Sequence, residues 1–419
     1  MQHICLDLLK REITPALGCT EPAAIGLAVA KSHETLGKPA EKIVLYLSRN
    51  ILKNAMGVGI PGTNQVGIET AAALALVAGK SEYLLEVFKD VTEEDVKKAN
   101  EYAKKNCIQV EMADTEEKLY IRAVCINGKD KAETVIQKSH TNIVMIVHNG
   151  TCLYLQKEEC SRETVGVSTE DISVKDIYEY ITNVPVAEIA FLQEAVDMNL
   201  AIAKEGLCES YGLGVGRQTL EHSSEANMEQ NAIAYAAAAA DARMAGCSLP
   251  VMSTTGSGNQ GITATVPVAI AANAMNKSQE ELLRAIALSQ LVTIHIKVHL
   301  GKLSALCGCA IAAGIGASCG ITYLMGGKLF QIESAIRNMV ADISGLICDG
   351  AKYGCALKIA TSVGSAFRCA TLAVSNVTAS GNDGIVHEDV EQTIQNLAAL
   401  GNKGMLDTDK LILHMMIEH

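Results

Sequence analysis

No cluster of lysine and arginine interrupts the acidic balance of this chain, in which 47 Asp and Glu against 35 Lys and Arg leave a formal net charge of -12. A phosphate backbone is repelled by such a surface, so nucleic acid is excluded as a partner and the expected ligand is a small molecule. The opening Met1-Gln2-His3-Ile4-Cys5-Leu6-Asp7 lacks the basic stretch and apolar core of a secretory leader. With fourteen cysteines spread over 419 residues, that lack argues against a disulfide framework and for a reducing cytoplasm. The sequon Asn376-Val377-Thr378 then gives no reason to expect a glycan. Charge is also missing from Leu303 to Gly327, a stretch long enough to span a bilayer. Its many small residues, its few large aliphatics and its flanking Lys302 and Lys328 favour a close-packed buried helix over a membrane span.

What the chain does have is thiols. Cys307, Cys309 and Cys319 fall in the uncharged stretch, and the segment Ile347-Cys348-Asp349-Gly350-Ala351-Lys352-Tyr353-Gly354-Cys355 adds two more. Soft thiolates are the ligands of iron-sulfur clusters, and a cluster used as a Lewis acid leaves one iron without a protein thiolate, so three cysteines suffice. Cys348 and Cys355 match neither the ferredoxin nor the zinc spacings. On spacing alone, small buried residues in a packed helix pair remain the alternative.

The length suggests two or three domains. The N-terminal segment predicts a helix through Leu9, a break at Thr14-Pro15 and a second helix from about Pro22 to Leu36. Cys19 stands at the start of that second helix, where backbone N–H groups and the helix dipole favour a thiolate. Lys42 to Leu47 predicts a strand opening into glycine-rich loops around Gly57-Val58-Gly59-Ile60-Pro61-Gly62-Thr63, without the Gly-Lys-Ser/Thr spacing of a P-loop. From Thr92 to Asn106 the pattern is an amphipathic helix. Ile108 to Met112, Lys118 to Ile126, Ala132 to Lys138 and Ile143 to Val147 predict strands, with hairpin turns at Asn127-Gly128 and Asn149-Gly150. Beyond Ser173 the pattern is helical and alanine-rich. It is broken by the loop Thr254-Thr255-Gly256-Ser257-Gly258-Asn259-Gln260-Gly261, which precedes a helix expected from Pro267 and is either a carboxylate cradle or a plain connector.

Four separated motifs, Gly18-Cys19-Thr20-Glu21-Pro22-Ala23-Ala24, Lys53-Asn54-Ala55-Met56-Gly57-Val58-Gly59-Ile60-Pro61-Gly62-Thr63, Gly256-Ser257-Gly258-Asn259-Gln260-Gly261 and Cys348-Asp349-Gly350-Ala351-Lys352, resemble in this order the L-cysteine desulfidases, relatives of the iron-sulfur L-serine dehydratases. The resemblance runs nearly end to end. It implies an α+β protein: a mostly helical catalytic domain, residues 1–80 and 160–419, interrupted by a smaller α/β domain with an antiparallel sheet, residues 81–159. It also implies a 4Fe-4S cluster on Cys348, Cys355 and one of Cys307 and Cys309, with Cys307 preferred; a regular helix would turn the two to different faces, so only one should reach the cluster. The family's candidate base falls on Cys19. Asn50, Lys53, Ser257 and Asn259, in or beside the matching loops, are the candidates for holding the substrate's charged groups.

The implied reaction converts L-cysteine and water to pyruvate, ammonia and hydrogen sulfide without pyridoxal phosphate. A proton must leave Cα and sulfur must leave Cβ, which an open iron and a thiolate base can serve. L-serine dehydration uses the same logic, and a non-catalytic cluster protein that senses oxygen or iron is the rival from another class. No membrane partner is expected, and a homo-oligomer is. His295 and His299 have helical i, i+4 spacing but lack the Glu of a zinc-protease motif, so packing or support of the residues that line a site is their expected role.

Overall fold

The computed structural model describes residues 2–63, 65–156, 172–224, 227–301 and 304–418. The expected boundary at 159/160 and the flanking residues Lys302 and Leu303 lie outside them.

Local rules account for the smaller body. Thr92 accepts from the Asp95 N–H at 3.3 Å while Asp95 accepts from the Thr92 N–H at 3.0 Å, a capping box that starts the helix Glu93–Ala103. The expected strands then follow. Strand β1 (Ile13–Ala16) lies apart from them, whereas β2 (Lys42–Leu47) joins them; β3 (Gly59–Ile60) and β4 (Gln65–Val66) form a small hairpin. Next come β5 (Ile108–Met112), β6 (Tyr120–Asn127), β7 (Asp130–Gln137), β8 (Ile143–His148) and β9 (Thr151–Leu155). The six-stranded order is β5-β2-β6-β7-β8-β9, with only the β2–β5 pair parallel. Asn149 and Gly150 close β8 to β9 with φ of 50° and 80°, the left-handed pair that a tight hairpin requires. The helix Thr20–Leu36 packs across β6 and β7, and Ser32 donates to the Ala123 carbonyl at 2.9 Å.

One core gathers residues from Ala24 to Ile136, and another gathers Cys5 to Ile13 with residues from Ile172 onward. The helix Thr20–Leu36 and strand β2, both before residue 81, therefore pack with the expected insertion rather than with the helical body. The reason is that β2 supplies the strand between β5 and β6, and its Ile43, Leu45 and Leu47 are fully buried there.

Two segments differ from expectation. Arg49–Ala55 is a helix where a loop was expected. The helix expected from Pro267 begins instead at Gly258 and runs to Ala274, with Ser257 accepting from Gln260 N at its start and Pro267 inside it. Gly258 and Gly261 are packing glycines: a Cβ on Gly261 would stand 1.9 Å from the carbonyl oxygen of Met252 in strand β10 (Val251–Thr254). The backbone donor lost at Pro267 is outweighed by a helix buried almost throughout. The uncharged stretch forms the buried helix Ala312–Leu324, about 20 Å long and too short for a bilayer. Its Gly316 touches the helix Gln279–Leu300, where a Cβ would come within 2.3 Å of the Ser289 carbonyl oxygen. Among the described residues no helix is long and apolar enough to cross a membrane.

Candidate active site

The loops that open these helices meet around one cavity of about 770 Å³, and all eight sequence-predicted residues line it. Cys19 caps the helix Thr20–Leu36 with extended backbone. It follows Gly18, whose φ of +65° and close approach to the Pro61 ring leave no room for a side chain. The Cys19 side chain is buried with Val58, Met244 and Cys355. Burial pushes its thiol up to about 11, against the pull of the Arg243 guanidinium and with the help of Glu21. Burial thus opposes the thiolate that the helix start was expected to favour.

Four more thiols converge here, those of Cys307, Cys309, Cys348 and Cys355. A backbone bridge pairs Leu306 with Ile347, so that the Cys307 N–H donates to Leu346 O at 2.9 Å and the Cys348 N–H to Ala305 O at 2.7 Å. This brings the two cysteine segments, 307–309 and 348–355, side by side. Cys355 opens the helix Cys355–Val374. Cys307 and Cys309 do not point to different faces, because residues 307–311 form a turn and the helix begins only at Ala312. Their sulfurs lie 3.4 Å apart and both line the cavity. The hydrogen bond the two thiols share holds Cys307 down at about 7 and drives Cys309 up. Burial pushes Cys355 up to about 12 and raises Cys348.

Among the described residues no three His, Cys, Asp or Glu side chains form a group that could hold a single metal ion. An iron-sulfur cluster asks for a different arrangement, thiolates on separate irons with compensating positive charge nearby. The donor set fits it. Lys297 is 6% exposed, and while burial lowers it to about 8, the charges that draw it back up are those of Cys348, Cys309 and Cys307. Lys358 donates to Ile347 O at 2.9 Å and pairs with Asp349, beside Cys348.

The predicted substrate binders are partly engaged with one another's supports. Lys53 is buried and pairs with Asp409 of the last helix at 2.5 Å. Ser257 caps the helix it precedes, and Asn259 accepts from Arg243 at 3.1 Å. Asn50 lines the wall beside Lys53. His295 stands outside the cavity lining, 2.7 Å from Glu391 and edge-on to His299.

Sequence reasoning missed Arg243, Glu21, Asn54 and Lys297, all cavity residues. Arg243 had a signal: it is a charge within the alanine-rich helix Met228–Met244, and a buried arginine there needs a reason.

A family model described as serine dehydratase alpha chain matches residues 82–414. The UPF0597 protein of Clostridium tetani is 44% identical over 419 residues, spanning 100% of this chain and 99% of its own length. Those of Phocaeicola vulgatus and Bacteroides thetaiotaomicron are 46% and 45% identical over 417 residues, spanning 98% of this chain and 96% of each relative.

Proposed function

The chain belongs to the serine dehydratase alpha chain family, an iron-sulfur-dependent lyase family, and from that premise we propose that it eliminates sulfide from L-cysteine, giving pyruvate, ammonia and hydrogen sulfide. The observation that carries this reading is the meeting of Cys19 with Cys307, Cys348 and Cys355 around one cavity that also holds buried positive charge.

Cys307, Cys348 and Cys355 would hold the 4Fe-4S cluster, with Cys309 beside Cys307 in the same turn as the alternative third ligand. When bound, the cluster supplies a Lewis-acidic iron for the substrate's carboxylate and leaving sulfur. Cys19 takes the Cα proton, which requires the thiol to be ionised; the nearby Arg243 charge favours that form. Loss of the Cα proton and of Cβ sulfur as hydrogen sulfide leaves 2-aminoacrylate, whose imine form adds water and releases ammonia and pyruvate. Asn50, Lys53, Ser257 and Asn259 shape the polar wall that orients the amino acid. No step asks for pyridoxal phosphate. The same reading places the protein in a reducing cytoplasm as a homo-oligomer.

The test is anaerobic purification, an assay of iron and acid-labile sulfide, and turnover of L-cysteine and L-serine side by side. Iron and sulfide with faster pyruvate release from L-cysteine is the expected result, lost in air and restored by iron and reductant. Faster release from L-serine would make the protein a serine dehydratase. A loaded cluster with no turnover of either would leave a sensor, and full turnover without iron would overturn the mechanism.

A further inference from the structure

Two opposite charges are buried beside Cys19 and neither is neutralised by the other. Arg243 is 5% exposed; Nη1 donates to Asn259 Oδ1 at 3.1 Å, Nη2 to the Gly18 carbonyl at 2.8 Å, and Nε has no hydrogen-bond partner. Among the described residues no carboxylate pairs with it: those two acceptors are neutral, and its other polar neighbour is the Cys19 thiol. Glu21 is 8% exposed and accepts from Asn54 Nδ2 and Thr20 Oγ1, each at 3.1 Å. The His140 Nε2 lies 3.9 Å from it, and among the described residues no lysine or arginine forms a bridge to it. Both charges border the same cavity and both act on the Cys19 thiol.

Burying a guanidinium without a counter-ion is costly, and so is burying a carboxylate; the cost persists unless a ligand completes them. An α-amino acid is the small molecule whose own charges match, because it carries a carboxylate and an ammonium on one carbon. We propose that Arg243 anchors the α-carboxylate and Glu21 the α-ammonium of the substrate, so that the Cα–H between them is presented to Cys19. This rests on the lyase reading above and goes beyond it in assigning the two charges that select an α-amino acid. A guanidinium fork suits a carboxylate better than an ammonium point charge does. Asn259 is then a positioning residue, holding the fork from behind, and Asn54 does the same for Glu21.

The inference is tested by calorimetric titration of the anaerobic, cluster-loaded protein with L-alanine, which has no leaving group, L-alaninamide, which lacks the carboxylate, and propionate, which lacks the ammonium. Wild type is expected to bind L-alanine on the order of thirtyfold more tightly than either analogue. In Arg243→Gln the preference over L-alaninamide collapses while the preference over propionate survives; Glu21→Gln shows the reverse. Equal weakening of all three ligands in Arg243→Gln would mean that Arg243 only holds the fold, and would overturn the assignment. Should that variant fail to fold, wild type alone decides: binding L-alaninamide as tightly as L-alanine overturns it. A protein that shows both preferences yet turns over neither L-cysteine nor L-serine sinks the lyase reading and sustains the anchors.

Discussion

The α-carbon of Gly350 lies against the backbone carbonyl of Lys53: a Cβ at Gly350 would stand 2.1 Å from that oxygen, and φ there is +91°. The loop that carries Cys348 is thereby seated on the helix Arg49–Ala55, and two motifs almost three hundred residues apart share one wall of the cavity. Gly350→Ala is expected to cost about 2–4 kcal/mol, from left-handed strain and overpacking together. Iron content should fall with it. Gly345→Ala, where a Cβ meets open space, is the control and should change neither urea unfolding nor iron.

Replacement of Cys307, Cys348 or Cys355 by Ala should lower bound iron and abolish pyruvate formation in anaerobically made protein. Cys369→Ala should leave both near wild type, because Cys369 is buried in the helix Cys355–Val374 away from the cavity. Cys309→Ala decides between the paired thiols, whose 3.4 Å separation lets either reach the site. Iron at the wild-type level in Cys348→Ala protein would remove that residue from the ligand set.

Cys19→Ser is expected to keep iron and lose turnover, since a serine hydroxyl ionises far less readily than a thiol. Deuterium washed from heavy water into the Cα position of recovered L-cysteine reports proton removal by itself. Wild type should show the wash-in, and the variant should not. Near-normal turnover in Cys19→Ser would remove Cys19 from the chemistry and leave Lys53 as the next base to test.

Acid stability should depend on Glu391. Burial raises its carboxyl, but the hydrogen bond and charge of His295, then the Val174 N–H and the charge of His299, outweigh this and hold its pKa below the ordinary carboxylate value. A depressed folded-state pKa means a contribution that is fully present above the unfolded value of about 4.3 and is lost as pH falls through the folded one. Glu391→Gln should therefore be less stable than wild type by about 2 kcal/mol at pH 7. The gap should close below the folded pKa, as measured by urea unfolding across pH. A gap that persists unchanged to the most acidic pH would refute the account in which His295 and the Val174 N–H hold the ionised carboxylate.

Much of the smaller body could be read from the chain because its determinants act over a few residues. Thr92 and Asp95 are three apart and close a capping box, and Asn149-Gly150 supplies the left-handed pair for its own turn. Strands Lys42–Leu47 and Ile108–Met112 fall where alternation placed them. The order of the cysteine motifs and the small residues of the uncharged stretch likewise pointed to thiol chemistry and a buried helix. Glycine misled the reading where it serves packing rather than a turn. At Gly258 and Gly261 the reason for glycine is the backbone of β10 and the Arg243 side chain, so a segment whose glycines suggest a loop is helical from Gly258.

Tertiary structure alone decided the rest. That β2 lies between β5 and β6, that Cys307 and Cys309 share a turn through the Leu306–Ile347 bridge, and that Arg243 reaches the Gly18 carbonyl across 225 residues are outcomes of packing. Side-chain periodicity records which face of an element is buried, not which distant element covers it. The thiols of the site were therefore visible in the chain, whereas the charges that face them became visible only once burial had removed the water around them.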